Sequence, residues 1–140
     1  TVPGNSRKVI TVGSYDRFGA YPEGGGEDAC YSGNGPTSEC ICKPDLVAPG
    51  SKIAACSSLA GQRGNGYYCK KSGTSMATPV VSGAIALLLS KEPQLTNAEV
   101  KMRLRESSQD LHLPRNRQGW GRLDIGRLLF GDQTKKYFLT

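Results

Sequence analysis

From residue 72 to residue 90 the chain carries no charged side chain. Val80, Val81, Ile85, Leu87, Leu88 and Leu89 stand there among small residues, and apolar positions fall on every side at helical spacing. That pattern predicts a helix buried all round. Apolar positions elsewhere come in shorter runs. Val9, Ile10 and Val12 predict a buried strand over 8–14, with Gly13 near its end. Leu46, Val47 and Ala48 predict a second strand, stopped by Pro49 and Gly50, and residues 53–56 predict a third. After a stop at 91–95, Thr96-Asn97-Ala98-Glu99 has the form of a capping box, opening a helix that carries Val100, Met102 and Leu104. The stretches 16–42, 60–66 and 107–118 are polar or turn-rich and are expected as loops. Strands alternating with helices predict an α/β layered fold.

The head of the uncharged run reads Gly73-Thr74-Ser75-Met76-Ala77-Thr78-Pro79. Ser75 would lie at the positive end of the helix dipole, beside backbone N–H groups that have no partner within the helix. An anion forming there is stabilised before any side chain contributes. Gly73 is expected to let another backbone approach closely, and Thr74 to cap the helix. Pro79 cannot donate to the carbonyl of Ser75, so a distorted first turn is expected. Serine at a helix start is most often only a cap; a chemical role rests on the whole string.

Charge and composition narrow the picture. The net charge is +6, with 18 Gly, 8 Pro and 37% hydrophobic residues. The basic residues are spread along the chain without an interleaved aromatic platform, so a solvated surface is expected rather than a nucleic-acid interface. Thr78, Pro79, Ser82 and Gly83 interrupt the apolar run, and no membrane span is expected. The five cysteines are Cys30, Cys40, Cys42, Cys56 and Cys69. They lack zinc-site spacing, and an odd number leaves at least one unpaired within the chain. No metal site is expected.

The seven-residue string, followed by Val80-Val81-Ser82-Gly83-Ala84, resembles the nucleophile motif of the subtilisin-like serine proteases. Two further segments match in family order. Lys43-Pro44-Asp45-Leu46-Val47-Ala48-Pro49-Gly50 is similar to a Lys-Pro-Asp-x-x-Ala-Pro-Gly segment, and Gly119-Trp120-Gly121-Arg122-Leu123-Asp124 to a Gly-x-Gly-x-x-Asp segment. Tyr31-Ser32-Gly33-Asn34-Gly35-Pro36 resembles the family's Phe-Ser-x-x-Gly-Pro loop. Asp124 is expected to cap a last helix through Leu129. The resemblance implies that residues 1–130 are the C-terminal portion of a three-layer α/β catalytic domain with a mostly parallel sheet. Residues 131–140 would be a tail. It further implies that Ser75 is the nucleophile and a backbone oxyanion donor, with Gly73, Thr74 and Met76 as supporting motif residues. Asp45 stands where some relatives hold a cation. One carboxylate cannot supply the six to eight oxygens that calcium takes, so a structural role is expected and no cofactor is required.

A serine hydroxyl needs a base, and the base an orienting carboxylate. The single histidine, His112, follows Ser75, whereas the family's order puts aspartate and then histidine before the serine. His112 and the nearby Asp110 are expected as solvated loop residues. The resemblance therefore implies a partner, the N-terminal portion of the same protease, that supplies both missing residues. The expected function is peptide-bond hydrolysis of protein or peptide substrates, most often outside the cell. The alternative is an inactive pseudoprotease or regulatory fragment with the same fold.

Overall fold

The structure, a computed structural model, describes residues 2–16, 32–58 and 66–131. The Tyr31 end of the aromatic loop motif, most of the expected loops at 16–42 and 60–66, and nearly all of the tail at 131–140 lie outside these residues.

Among the described residues, four strands and four helices follow one another in the order β1 (Val12–Tyr15), β2 (Leu46–Pro49), β3 (Ile53–Cys56), β4 (Tyr68–Lys71), α1 (Thr74–Lys91), α2 (Asn97–Ser107), α3 (Arg115–Gln118) and α4 (Ile125–Phe130). Strands β1 and β2 pair in parallel, Val12 opposite Leu46. The layer continues beyond β2: the Val47 N–H donates to the Gly121 carbonyl at 3.0 Å, and the Leu123 N–H donates to the Val47 carbonyl at 2.8 Å. Arg122 in turn exchanges both backbone hydrogen bonds with Gln109. The stretch at 107–118 is thus more ordered than its composition suggests. Its first residues join the layer, and its last turn is α3. The backbone pairing of β2 on both sides explains why its run is wholly apolar and buried.

Helix α1 lies against this layer. Ala77, Val81, Ala84 and Leu88, spaced as one helical face, are buried with Leu46 and Ala48 of β2. Val100 and Leu104 of α2, with Leu123 and Leu128, complete the same core. The expectation that α1 is buried all round is corrected. Its other face, Ser75, Thr78, Pro79, Ser82, Gly83, Ala86, Leu87 and Ser90, is exposed, with Leu87 54% accessible. The composition is that of an interior helix, yet only one face meets this chain's own core. By length and mean hydropathy alone α1 reaches the dimensions of a membrane span. Its packed face shows it instead as a helix seated on a sheet.

Helix α2 opens as predicted. The Thr96 hydroxyl accepts from the Glu99 N–H, and the Glu99 carboxylate accepts from the Thr96 N–H at 2.7 Å. Asp124 caps α4 by accepting from the Arg127 N–H at 2.9 Å.

Asp45 ties the molecule together from inside. Its carboxylate accepts from the Thr11 N–H at 2.8 Å and from the Lys43 ammonium at 2.7 Å, and lies 3.3 Å from the Lys101 ammonium. Lys43 and Asp45 are both nearly closed to solvent. Lys101, on α2, also donates to the carbonyls of Arg7 and Val9. One carboxylate thus joins the chain before β1, the entry to β2 and the face of α2. This is the structural role expected of Asp45: its oxygens are taken by two ammonium groups and an amide.

Strands β3 and β4 form a separate antiparallel pair, with Ile53 opposite Lys71 and Cys56 opposite Tyr68. Only Ile53 and Cys69 of this ribbon are half-buried; its other positions are exposed. Cys40, Cys42, Cys56 and Cys69 are free thiols, and Cys30 lies outside the described residues.

Candidate active site

The ribbon delivers the chain to the turn that precedes Ser75. From Lys71 at the end of β4 only Ser72 and Gly73 intervene before α1 begins. Two contacts fix this turn. The Gly73 N–H donates to the Gly50 carbonyl at 2.8 Å, and the Lys52 N–H donates to the Ser72 hydroxyl at 2.8 Å. The Pro49-Gly50 end of β2 therefore holds the head of α1.

Glycine is required twice here, for different reasons. Gly73 has φ +151°, a backbone conformation that side chains disfavour. The close approach expected at Gly73 is made, but the crowded residue is Gly50. A Cβ on Gly50 would meet the Ser14 hydroxyl and lie 2.7 Å from the Gly73 carbonyl oxygen. Ser14 itself is fully buried, and its Oγ has no hydrogen-bond partner among the described residues.

Gly73, not Thr74, is the N-cap, and no side chain caps the helix. This corrects the expectation for Thr74, which is the first helical residue; its carbonyl accepts from the Thr78 hydroxyl at 3.0 Å. The Met76 and Ala77 N–H groups turn back to the Gly73 carbonyl. Those of Thr74 and Ser75 have no acceptor among the described residues. The helix terminus thus keeps donors free beside an exposed serine. Such a terminus attracts an anion, and no acidic side chain occupies the first turn. Met76, next in the chain, is half-buried. Helix α1 runs through Pro79 as one element, and the proline leaves the Ser75 carbonyl without its helical donor.

A cleft of about 360 Å³ reaches this terminus. Thr11, Val12, Gly33, Asn34, Pro44 and Thr74 line part of it. The Gly33–Pro36 part of the aromatic loop motif thus borders the head of α1, a juxtaposition that spacing in sequence does not reveal.

Asp110 and His112 form a local turn of their own. The His112 N–H donates to the Asp110 carboxylate at 2.8 Å, and the imidazole Nδ1 stands 4.0 Å from it. The hydrogen bond from the His112 backbone, then that from the Gln118 amide, hold the Asp110 carboxyl below its ordinary value. The His112 side chain is 91% exposed. Its only ion-pair contact among the described residues is with Asp110, as expected of a solvated pair. Ser75 therefore has donors for an anion but no base beside it among the described residues.

Comparison with known proteins agrees with the geometry. The family model described as the subtilase family matches residues 1–121. The serine protease AprX of Bacillus subtilis (strain 168) is 39% identical over 114 residues, which cover 76% of this chain and 26% of that protein. The subtilisin-like protease SBT3.13 of Arabidopsis thaliana is 49% identical over 79 residues, 54% of this chain and 10% of that protein. Among solved structures, the CspB protease of Clostridium perfringens superposes with a TM-score of 0.75 at 31% identity, covering 91% of this chain and 27% of that one. The chain thus spans about a quarter of AprX and of CspB.

Proposed function

Because the chain belongs to the subtilase family, we propose that it is the nucleophile-bearing portion of a serine endopeptidase, with residues 1–130 forming the C-terminal portion of the catalytic domain. The observation that carries this reading is the uncapped head of α1, where an exposed serine stands beside free backbone donors. In the proposed reaction a histidine on the N-terminal portion, oriented by an aspartate there, takes the Ser75 proton. The Ser75 oxygen attacks the peptide carbonyl, and the amine leaves with a proton from the same histidine. Water then cleaves the acyl-enzyme. The Ser75 N–H and an asparagine from the N-terminal portion hold the oxyanion. Gly73 sets the turn, and Thr74 and Met76 seat it.

The outer face of α1 supports the two-portion arrangement. It is uncharged along its length, as a face covered by protein would be. This route requires no cofactor. We place the enzyme outside the cell, in line with the extracellular members that the resemblance implies.

A fluorophosphonate probe tests the reading directly. It should label the complete catalytic domain at Ser75, and Ser75→Ala should abolish both labelling and peptide hydrolysis. Subtilisin, a member of the same family, loses about 10⁶-fold in kcat without its serine, and that magnitude sets the scale of the loss expected here. The isolated chain should show no steady hydrolysis. A complete domain whose Ser75 stays unlabelled would favour the pseudoprotease alternative.

A further inference from the structure

No acidic residue stands between Asp45 and Glu92, a span that carries Lys52, Arg63, Lys70, Lys71 and Lys91. Three of these cations gather at the nucleophile turn. Lys70 and Lys71 lie on β4, five and four residues before Ser75, and an extended chain of four residues spans at most about 14 Å. Lys52, at the foot of β3, is joined to the same turn through its backbone bond to Ser72. All three side chains are exposed, and no carboxylate pairs with them among the described residues. Elsewhere Lys43, Lys101 and Arg103 each have a carboxylate partner. The register adds a second feature. Lys70 shares a face with Tyr68 and Cys56, opposite the face of the half-buried Ile53 and Cys69. Tyr67 and Tyr68 are 71% and 73% exposed. Tyr68, Lys70 and Lys71 thus stand together on one exposed strand.

We propose that the β3–β4 ribbon is a docking arm for an acidic stretch of the polypeptide substrate, with Lys70 and the neighbouring Lys52 receiving its carboxylates and Tyr68 covering its apolar stems, while Lys71, opposite Ile53 on the other face, adds to the local positive charge. The proposal rests on the assignment of Ser75 as the nucleophile and deepens it to a substrate class. A carboxylate-bearing segment gains from each unpaired ammonium it meets, and the gain is largest at low salt. Exposed ion pairs supply roughly 2–5-fold each in binding, so two or three should give on the order of 10-fold. A polypeptide is favoured over a nucleic acid because the ribbon leads directly into the serine.

Binding can be read without turnover. In the complete catalytic domain carrying Ser75→Ala, fluorescence anisotropy would compare an octapeptide bearing about three glutamates with its glutamine counterpart. The acidic peptide should bind about 10-fold tighter at roughly 20 mM salt, and the margin should shrink towards unity at about 0.5 M. The double substitution Lys52→Glu, Lys70→Glu should erase or invert the preference. Arg105→Glu, on the exposed face of α2, is the control and should leave the preference intact. Equal binding of the two peptides, or a preference that survives the double substitution in a folded domain, overturns the proposal. So does a single-stranded oligonucleotide that competes as well as the acidic peptide, since the ribbon would then be a general polyanion surface. Labelling of Ser75 in the unsubstituted domain is read separately, so a failed protease assignment and a failed docking arm give different results.

Discussion

Helix α2 begins with a reciprocal capping box and shows solvent a face of Arg103, Arg105 and Glu106 around the exposed Met102. Helix α1 begins on Gly73 with no side-chain cap and, up to Lys91 at its end, shows solvent only small, hydroxyl-bearing or apolar residues. Both press one stripe into the same core. The difference lies at the ends and on the outer faces. In α2 the Thr96 and Glu99 N–H groups are taken by side chains in a reciprocal box, which stabilises the helix and covers its terminus. In α1 no side chain lies over the terminus, which forgoes the stabilisation of a cap and keeps open a place where negative charge can develop. The outer faces repeat the contrast: that of α1 carries no charge, whereas that of α2 carries Arg103, Arg105 and Glu106.

The sharpest way to break this comparison is to place one charge on each outer face. Leu87 is 54% exposed and Met102 59%. Leu87→Asp should cost on the order of 5 kcal/mol in assembly of the complete domain, through an unpaired charge at a covered surface. Met102→Asp should stay within about 0.5 kcal/mol. Equal effects on domain assembly, followed by thermal unfolding, would refute the idea that α1 is covered and α2 is not.

The Asp45 cluster comes next, because it anchors α2 to the chain around β1 and β2. Asp45→Asn leaves the buried Lys43 without its counter-charge and should cost about 3–5 kcal/mol by denaturant unfolding. A loss below about 1 kcal/mol would show that Lys43 reaches water freely. At the turn before Ser75, Gly50→Ala should cost about 1–3 kcal/mol and lower kcat, since the new methyl displaces Gly73 or Ser14. Adding Ser14→Ala should restore part of the loss by removing the hydroxyl from the contact.

The smallest effect belongs to the cap of α2. Thr96→Ala should cost about 1 kcal/mol. The side-chain and then the backbone hydrogen bond from Thr96 hold the Glu99 carboxyl below its ordinary value. Glu99 therefore contributes its stabilisation above its unfolded value, and the contribution fades as pH falls through the lower folded one. Thr96→Ala should remove that portion of acid sensitivity, so wild type and variant should converge in stability at low pH. Parallel curves across the acid range would speak against the capping box as its source.

The local elements were legible in the residues. The capping box at 96–99 and the cap at Asp124 depend on side chains a few positions apart, and the strands at 46–48 and 53–56 are bounded by their own turn residues. Ser75 was legible as a candidate nucleophile for the same reason, since the whole motif is contiguous. Periodicity misjudged α1, because an all-apolar pattern reports what a helix is suited to bury and not which neighbours this chain provides. Composition likewise misjudged 107–118, where Gln109 is ordered by pairing with Arg122 from across the layer.

Sequence alone therefore determined the family, the helix ends whose partners lie within one turn, and the choice of Ser75 as the candidate nucleophile. Only the tertiary structure decided that Gly50 holds the turn before α1, that Asp45 gathers two lysines, and that Tyr68 and Lys70 share one exposed face. Those relations join residues far apart in the chain or fix which side of a strand meets solvent, and they exist only once the backbone has brought separate strands and helices into contact.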